Sequence, residues 1–359
     1  MSIAHRELMK SVQRSILGKA QPSAGSVHTN RPLANLALAF LQEPSDFVAL
    51  DAFPIVRVRR ESDKYAVIPK GNFTRTFAAK RAPGDPSAGG GYAVDLSNSY
   101  SCQEWAVHRK LPWRVRENAD EPLNLPAMDV RFTVDQIRLA LEIEWFNDHF
   151  KTGAWTTDRT GVASGTPSAT QFLRWENSAS EPVDQVEKFS LQMELTGLKR
   201  PNMMIVGPYA HRRLLSNASI KARLNAGANR AEAVTPQIVA GKLAELFQVK
   251  RYLVAKAKVN TAAEGQTDSM RFVASDGTTD SALLLYVPDA PAMMEPAAGY
   301  TFMATESPER EGGVKGMVTR TWDELKEKST YTESEVLLDM KLTAADCGLF
   351  LADAATVAD

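Results

Sequence analysis

Five histidines, two cysteines and a few closely set carboxylates are the residues of this chain that could carry chemistry. General acid–base work needs a histidine within hydrogen-bond reach of a carboxylate or nucleophile. His5, His28, His108, His149 and His211 are scattered through the chain. Asp148 adjoins His149, and Glu142 and Glu144 are two apart. Residues one or two apart on a helix point in different directions, so neither pair shares a face. Cys102 and Cys347 are far apart and lack metal-ligand spacing, which reads as two buried free thiols rather than a disulfide framework or a zinc site. No GxxxxGK[ST] phosphate loop, helix-opening GxGxxG, HExxH or CxxC occurs. Gly89-Gly90-Gly91 lies in a Pro- and Ser-rich stretch with no helix after it, so it reads as a linker. A Ser/His/Asp triad has no local signature here. The expectation is a chain that is not an enzyme and needs no cofactor or metal.

The other concentrated chemistry is positive charge. Arg57, Arg59, Arg60, Lys64, Lys70, Arg75, Lys80 and Arg81 are interleaved with Tyr65, Phe73 and Phe77. A dedicated nucleic-acid module shows a strongly basic domain with a groove or stacking element, whereas the net charge here is −1. The charge is polarised. Residues 1–81 hold 13 Lys/Arg against 6 Asp/Glu, and residues 295–359 hold 6 against 13. Opposite ends of opposite sign can pair within one molecule or between copies. The eight cations are therefore candidate contact residues for an acidic protein surface, which residues 295–359 could supply.

The elements that must position them centre on Pro126–Lys151, the longest run compatible with one helix. Val130, Val134, Ile137, Leu141 and Trp145 form an apolar stripe on it. Pro126 suits its first turn and Gly153 its stop. Arg131, Asp135, Arg138, Glu142 and Asp148 make its polar face. Ahead of it, a short amphipathic stretch (Ile3 to Leu17) leads through QPSAGS into segments broken by prolines 32, 44 and 54, an arm more than a core. Residues 55–77 alternate as strands, with turns at Glu61-Ser62-Asp63 and Lys70-Gly71-Asn72. Such a hairpin has one thin apolar face and cannot be stable alone. Residues 82–91, APGDPSAGGG, are linker-like, and 92–117 return as strand. Beyond the long helix, Ser180 is expected to cap a helix over 181–196 ending at Gly197. Residues 200–304 read as α/β: NMMIVG, RYLVAKAKVN, ALLLYV and GYTFMA as strands, PYAHRRLLSNASIKARLN and TPQIVAGKLAELFQV as helices, the last capped by Thr235. The strands MVTRTW, EVLLDMKLTA and CGLFLAD must pair with the strands near 100–116. Hydrophobic content of 44% is ordinary for a globular protein. No apolar run reaches membrane-spanning length, and no signal peptide is evident at the amino terminus.

The order of parts resembles a known family. NRPLANLALAFLQ and FPIVRV lead into the basic loop, which ends in RAPGDPSAGGG; ENADEP precedes the long helix. TGLKRPNMMIVGPYAHRRLL then enters the α/β region, and ALLLYVPDAP precedes GYTF. Over residues 28 to 351 this is similar to the Hong Kong 97 type major capsid protein of tailed double-stranded DNA bacteriophages. The resemblance implies an α+β fold divided as follows: N-terminal arm 1–50, extended β-hairpin loop 51–92, peripheral domain 93–199 with spine helix 126–151, axial domain 200–304, and return strands 305–359 completing the peripheral domain. It also implies an icosahedral shell of pentamers and hexamers, assembled in the host cytoplasm and found in the virion. A portal, a separate scaffolding protein and non-specifically contacted packaged DNA would be its partners, and no membrane. Some members form Lys–Asn cross-links from this loop. Lys64, Lys70 and Lys80 lie in that region, but lysine is common on any solvated hairpin and cross-linking is not expected. An encapsulin-like compartment holding a protein cargo is the alternative, and a soluble enzyme or nucleic-acid-binding protein a remote one.

Overall fold

The computed structural model describes residues 42–119, 124–226, 236–291, 295–304 and 316–357. The stretch from Ile3 to Leu17, most of the expected arm 1–50, the end of ENADEP and Thr235 lie outside the described residues. In chain order the strands are β1 Ile55–Val58, β2 Ser62–Lys64, β3 Ser99–Ser101, β4 Gln103–Pro112, β5 Thr157–Val162, β6 Gln171–Leu173, β7 Met203–Val206, β8 Arg251–Val254, β9 Lys258–Asn260, β10 Met270–Phe272, β11 Thr279–Leu285, β12 Gly299–Ala304, β13 Val318–Glu324, β14 Ser329–Leu342 and β15 Gly348–Thr356.

The spine helix runs from Leu125 to His149, 25 residues or about 37 Å. Asn124 caps it, its Oδ1 accepting from the Ala127 N–H at 3.2 Å, and Pro126 falls in the first turn. It stops two residues before Lys151 because Phe150 leaves the helix to pack against Phe350 at 5.2 Å. The buried face also differs from the expected stripe. Leu125, Asp129, Thr133, Ile137, Leu141, Trp145 and His149, a strict four-residue row, face inward, and Val130 is exposed. Polar partners on the adjoining sheet make this possible. Arg109 Nε on β4 meets Asp129 Oδ1 at 2.7 Å, and Thr133 Oγ1 shares a 2.8 Å hydrogen bond with Ser334 on β14.

Glu142, assigned above to the polar face, is buried. Its carboxylate accepts from the N–H groups of Val48 (2.9 and 3.0 Å) and Ala49 (2.8 Å), at the start of the one-turn helix Ala49–Ala52. That turn offers orphan donors and a partial positive charge, which a carboxylate satisfies. Burial outweighs these hydrogen bonds and pushes the Glu142 carboxyl up to about 7.

Two sheets flank the helix. The five-stranded sheet runs β1-β12-β14-β13, with β4 on the other side of β14, which pairs with it from Ser329↔Pro112 to Leu338↔Gln103. The six-stranded sheet runs β6-β5-β15-β11-β7-β8. Strand alternation divides its side chains between two cores. Met204, Val206, Ala282, Leu284, Leu349 and Leu351 face helices Pro182–Gly197, Pro208–Ser216, Ala218–Ala226 and Pro236–Leu246. Met203, Ile205, Leu283, Leu285 and Phe350 face Trp145, Phe146 and Phe150 at the end of the spine, with Phe53 and Ala49. A sheet covered on both faces requires apolar residues at consecutive positions, which is why MMIV has no polar alternation.

Several sequence boundaries move. The α/β unit is not closed within 200–304, since β5, β6 and β15 complete its sheet and β12 leaves for the other one. β15 likewise departs from the return strands expected to complete the peripheral sheet, whereas β13 and β14 join it. RYLVAKAKVN breaks into β8 and β9, the latter pairing with β10 in a separate hairpin. PYAHRRLLSNASIKARLN breaks into two helices at Asn217. The helix expected over 181–196 has Glu181 at its cap position with no side-chain capping hydrogen bond, and Ser180 Oγ donates to Leu173 O instead. Its left-handed residue is Leu198 (φ 59°), not Gly197. Glycine is needed at 197 because a Cβ there would sit 2.3 Å from Asp346 O.

Glu142→Ala leaves two buried N–H groups without their acceptor and is expected to lower unfolding free energy by about 1–3 kcal/mol, read by urea denaturation of the unassembled chain. The pH dependence has a definite sign. A carboxyl raised above its unfolded value contributes stability that is fully present below the unfolded pKa and lost as pH rises through about 7. Glu142→Gln should flatten that decline between roughly pH 4.5 and 7, and an unchanged slope would refute the assignment.

Candidate functional site

The basic segment leaves the body as a loop, but its two arms are not those the sequence suggested. β1 carries Arg57 into the five-stranded sheet, parallel to β12. Arg59 and Arg60 are exposed in the turn that follows, Arg60 3.6 Å from Asp63. The outgoing arm is β2 with Lys64, and its partner is β3, paired Ser62↔Ser101, Asp63↔Tyr100 and Lys64↔Ser99. A Val67↔Asp95 bridge extends the pair. The expected second strand around Phe73 and Phe77 is instead a one-turn helix, Gly71–Thr74, followed by irregular backbone. The reason is local: Lys70-Gly71-Asn72 continues into a helical turn, with Thr74 Oγ1 donating back to Lys70 O, rather than reversing the chain. The loop thus spans 62–101 rather than ending near 92. Its ladder holds only Lys64 of the eight candidate cations; Arg75, Lys80 and Arg81 sit on the irregular part.

What anchors the loop is an aromatic sandwich. Phe302 on β12 stacks with Tyr65 of the outgoing arm (5.4 Å, 28°) and with Tyr100 of the returning arm (4.5 Å, 10°). Cys102 N–H donates to Glu61 O at 2.7 Å, and Ser101 N–H to Asp339 Oδ2 at 2.8 Å. Beyond this root every residue from Phe73 to Ser97 is exposed. Phe73 and Tyr92 stack on one another at 6.1 Å yet remain 62% and 65% exposed. Val94 and Leu96 are exposed as well. Sequence reasoning found Tyr65, Phe73 and Phe77 in the loop, but not the anchoring role of Phe302. About two hundred residues separate Phe302 from Tyr100, and the pairing of β12 and β4 with β14 brings them together.

Beneath the loop root lies an open groove of about 660 Å³ between Tyr65, Ser97, Asn98, the end of the spine helix and β14. Glu144, Asp148 and Asp339 line it, with Lys341 Nζ 3.7 Å from Asp339 Oδ2. Burial first, then repulsion from Asp148 and Asp339, pushes the Glu144 carboxyl up to about 7. Charge here is acidic where the loop is basic. His149 does not serve as a base toward Asp148: its Nε2 lies 3.3 Å from Met340 O, and burial lowers its pKa. In the α/β unit, Asp280 accepts from the Tyr209 (2.7 Å) and Ala210 (3.0 Å) N–H groups at a helix start, as Glu142 does on the spine side. His211 Nδ1 lies 2.8 Å from the Tyr252 hydroxyl, and burial drives its pKa down to about 4. Glu142 and Asp280 thus hold backbone. No three of the described His, Cys, Asp and Glu side chains are placed to hold a metal ion.

Phe302→Ala removes both faces of the sandwich and is expected to cost about 3–5 kcal/mol. Hydrogen exchange should rise first in residues 62–67 and 95–101; protection unchanged there would show that the stack does not anchor the loop.

No protein-family model matches the chain, and no curated protein matches it by sequence. Solved structures match it in shape. A phage-related protein from Bordetella bronchiseptica RB50 is 21% identical, covering 87% of this chain and 94% of its own, with a TM-score of 0.62. The SrpI encapsulin of Synechococcus elongatus PCC 7942 is 11% identical over 95% and 98%, TM-score 0.53. The capsid protein of cyanophage P-SCSP1u is 9% identical over 93% and 99%, TM-score 0.51. The likeness spans 87–95% of this chain and 94–99% of those chains: this chain has the α+β fold of the Hong Kong 97 type shell proteins.

Proposed function

We propose that this chain is the major capsid subunit of a tailed double-stranded DNA bacteriophage, assembling with copies of itself into pentamers and hexamers that close an icosahedral shell. The observation that carries this reading is the shared fold with capsid structures over most of the chain, combined with a loop whose aromatic face has no cover of its own. The role is structural rather than catalytic. Apolar burial and many weak charge contacts are summed over many interfaces, because one exposed ion pair contributes only about 0–1 kcal/mol. The loop lies across a neighbour, bringing Lys64, Lys70, Arg75, Lys80 and Arg81 within reach of its acidic surfaces, with Arg57, Arg59 and Arg60 at its base. Shells form in the host cytoplasm around a portal, guided by a separate scaffolding protein, and the packaged DNA is held non-specifically. None of the described helices is long and apolar enough to cross a membrane.

A second reading, an encapsulin-like compartment around a protein cargo, is favoured by the equally complete likeness to the SrpI encapsulin. Purified particles separate the two: copurifying DNA supports the phage head and a copurifying protein cargo supports the compartment.

Electron micrographs of the expressed protein should show closed shells, and a chain that stays monomeric at high concentration, with or without scaffold, would overturn both readings. Reversing Arg57, Arg59 and Arg60 to Glu should abolish shells while leaving the chain folded. Deleting residues 82–91, all exposed, should leave assembly intact, since shortening such a loop changes closure entropy by less than about 1 kcal/mol.

A further inference from the structure

The shoulder of the loop is held by its own body. Lys70 Nζ donates to Thr196 O at 2.7 Å and meets Asp346 Oδ2 at 2.6 Å. Thr196 lies in the last turn of the helix Pro182–Gly197, where unsatisfied carbonyls concentrate negative partial charge and the helix supplies no basic side chain of its own. Asp346 sits in the single turn Ala345–Cys347 between β14 and β15. The two acceptors are fixed relative to each other, because Gly197 is pressed so closely on Asp346 O that a Cβ would not fit. Lys70 therefore docks on a preformed pair of oxygens. Only Ile68 and Pro69 separate it from the Val67–Asp95 bridge that ends the anchored root. Past Lys70, the exposed stretch with Phe73 and Tyr92 begins.

We propose that Lys70 is a latch that holds the loop against its own subunit in the free chain and lets go when the loop moves onto a neighbour. The release step rests on the shell reading above; the closed position rests on the two Lys70 contacts. The side chains of Lys70 and Asp346 are 51% and 30% exposed, so the pair is screened by salt and biases the loop by up to about fivefold rather than locking it. Such a bias delays nucleation without resisting an apolar interface.

The test uses the full chain with cysteines introduced at Thr74 and Glu194 for spin labels, Cys102 and Cys347 being buried. Pulsed electron–electron resonance on dilute, unassembled chain should give a narrow distance distribution that broadens in Asp346→Asn and in Lys70→Ala. Light scattering should show Asp346→Asn assembling faster, by up to about fivefold, and raised salt should bring the parent chain toward the same rate. An unchanged distance distribution in both variants would overturn the latch. So would a broadened one with assembly unaltered or slowed. If parent and variants alike never assemble, the shell reading and the release step fail together, while the distance measurement still decides whether Lys70 holds the loop closed.

Discussion

Everything in this molecule depends on burying one long helix against two sheets at once. Ile137 and Leu141 pack on Met303, Val336 and Leu338 of the five-stranded sheet. Trp145 and Phe146, one turn on, pack on Met203, Ile205, Leu283 and Phe350 of the six-stranded one. Each fully buried side chain of this size contributes roughly 1.5–3 kcal/mol, and neither sheet can shift without disturbing the same few residues. The helix therefore fixes the distance and angle between the two halves.

The acidic residues that could suggest an active site turn out to complete the backbone. Glu142 and Asp280 stand at opposite ends of the molecule's logic, one tying the segment before β1 to the spine and the other seating a helix of the α/β unit on its sheet. Both are pushed up to about 7 by burial, against the pull of their N–H donors. A perturbed carboxyl is often a clue to catalysis. Here each has its oxygens occupied by main-chain donors, and the perturbation records the cost of hiding a charge.

Much of the fold was legible before any coordinates. The four-residue spacing of Ile137, Leu141 and Trp145 and the terminal Pro126 marked the spine to within two residues. The unbroken apolar run MMIV marks a strand, and EVLLDMKLTA reads as a partner of the strands near 100–116, where β14 lies. What escaped was long-range. Asp129 and Thr133 look like surface residues until Arg109 and Ser334 are opposite them, so Val130 was taken for the inward position. β12 and β15 have the same pattern whichever sheet they join, so composition could not assign them. The loop's second arm was missed because Phe73 and Phe77 alternate as a strand would, whereas the true partner, Ser99–Ser101, is a short polar run with a single aromatic.

The place of β15 has a consequence for how the protein is made. It lies between β5 and β11, in the middle of the six-stranded sheet, although it is the last strand of the described chain. Until residues 348–356 have been synthesised, that sheet stays split into two unpaired halves, and Trp155 lacks the Gly348 backbone it packs against. Chains emerge from the ribosome amino-terminus first, at about 5–20 residues per second, so the α/β core forms only after residues 348–356 have emerged. Prematurely terminated chains cannot complete it. Quality control is thereby written into the strand order: a product interrupted before residue 348 is left with an open sheet.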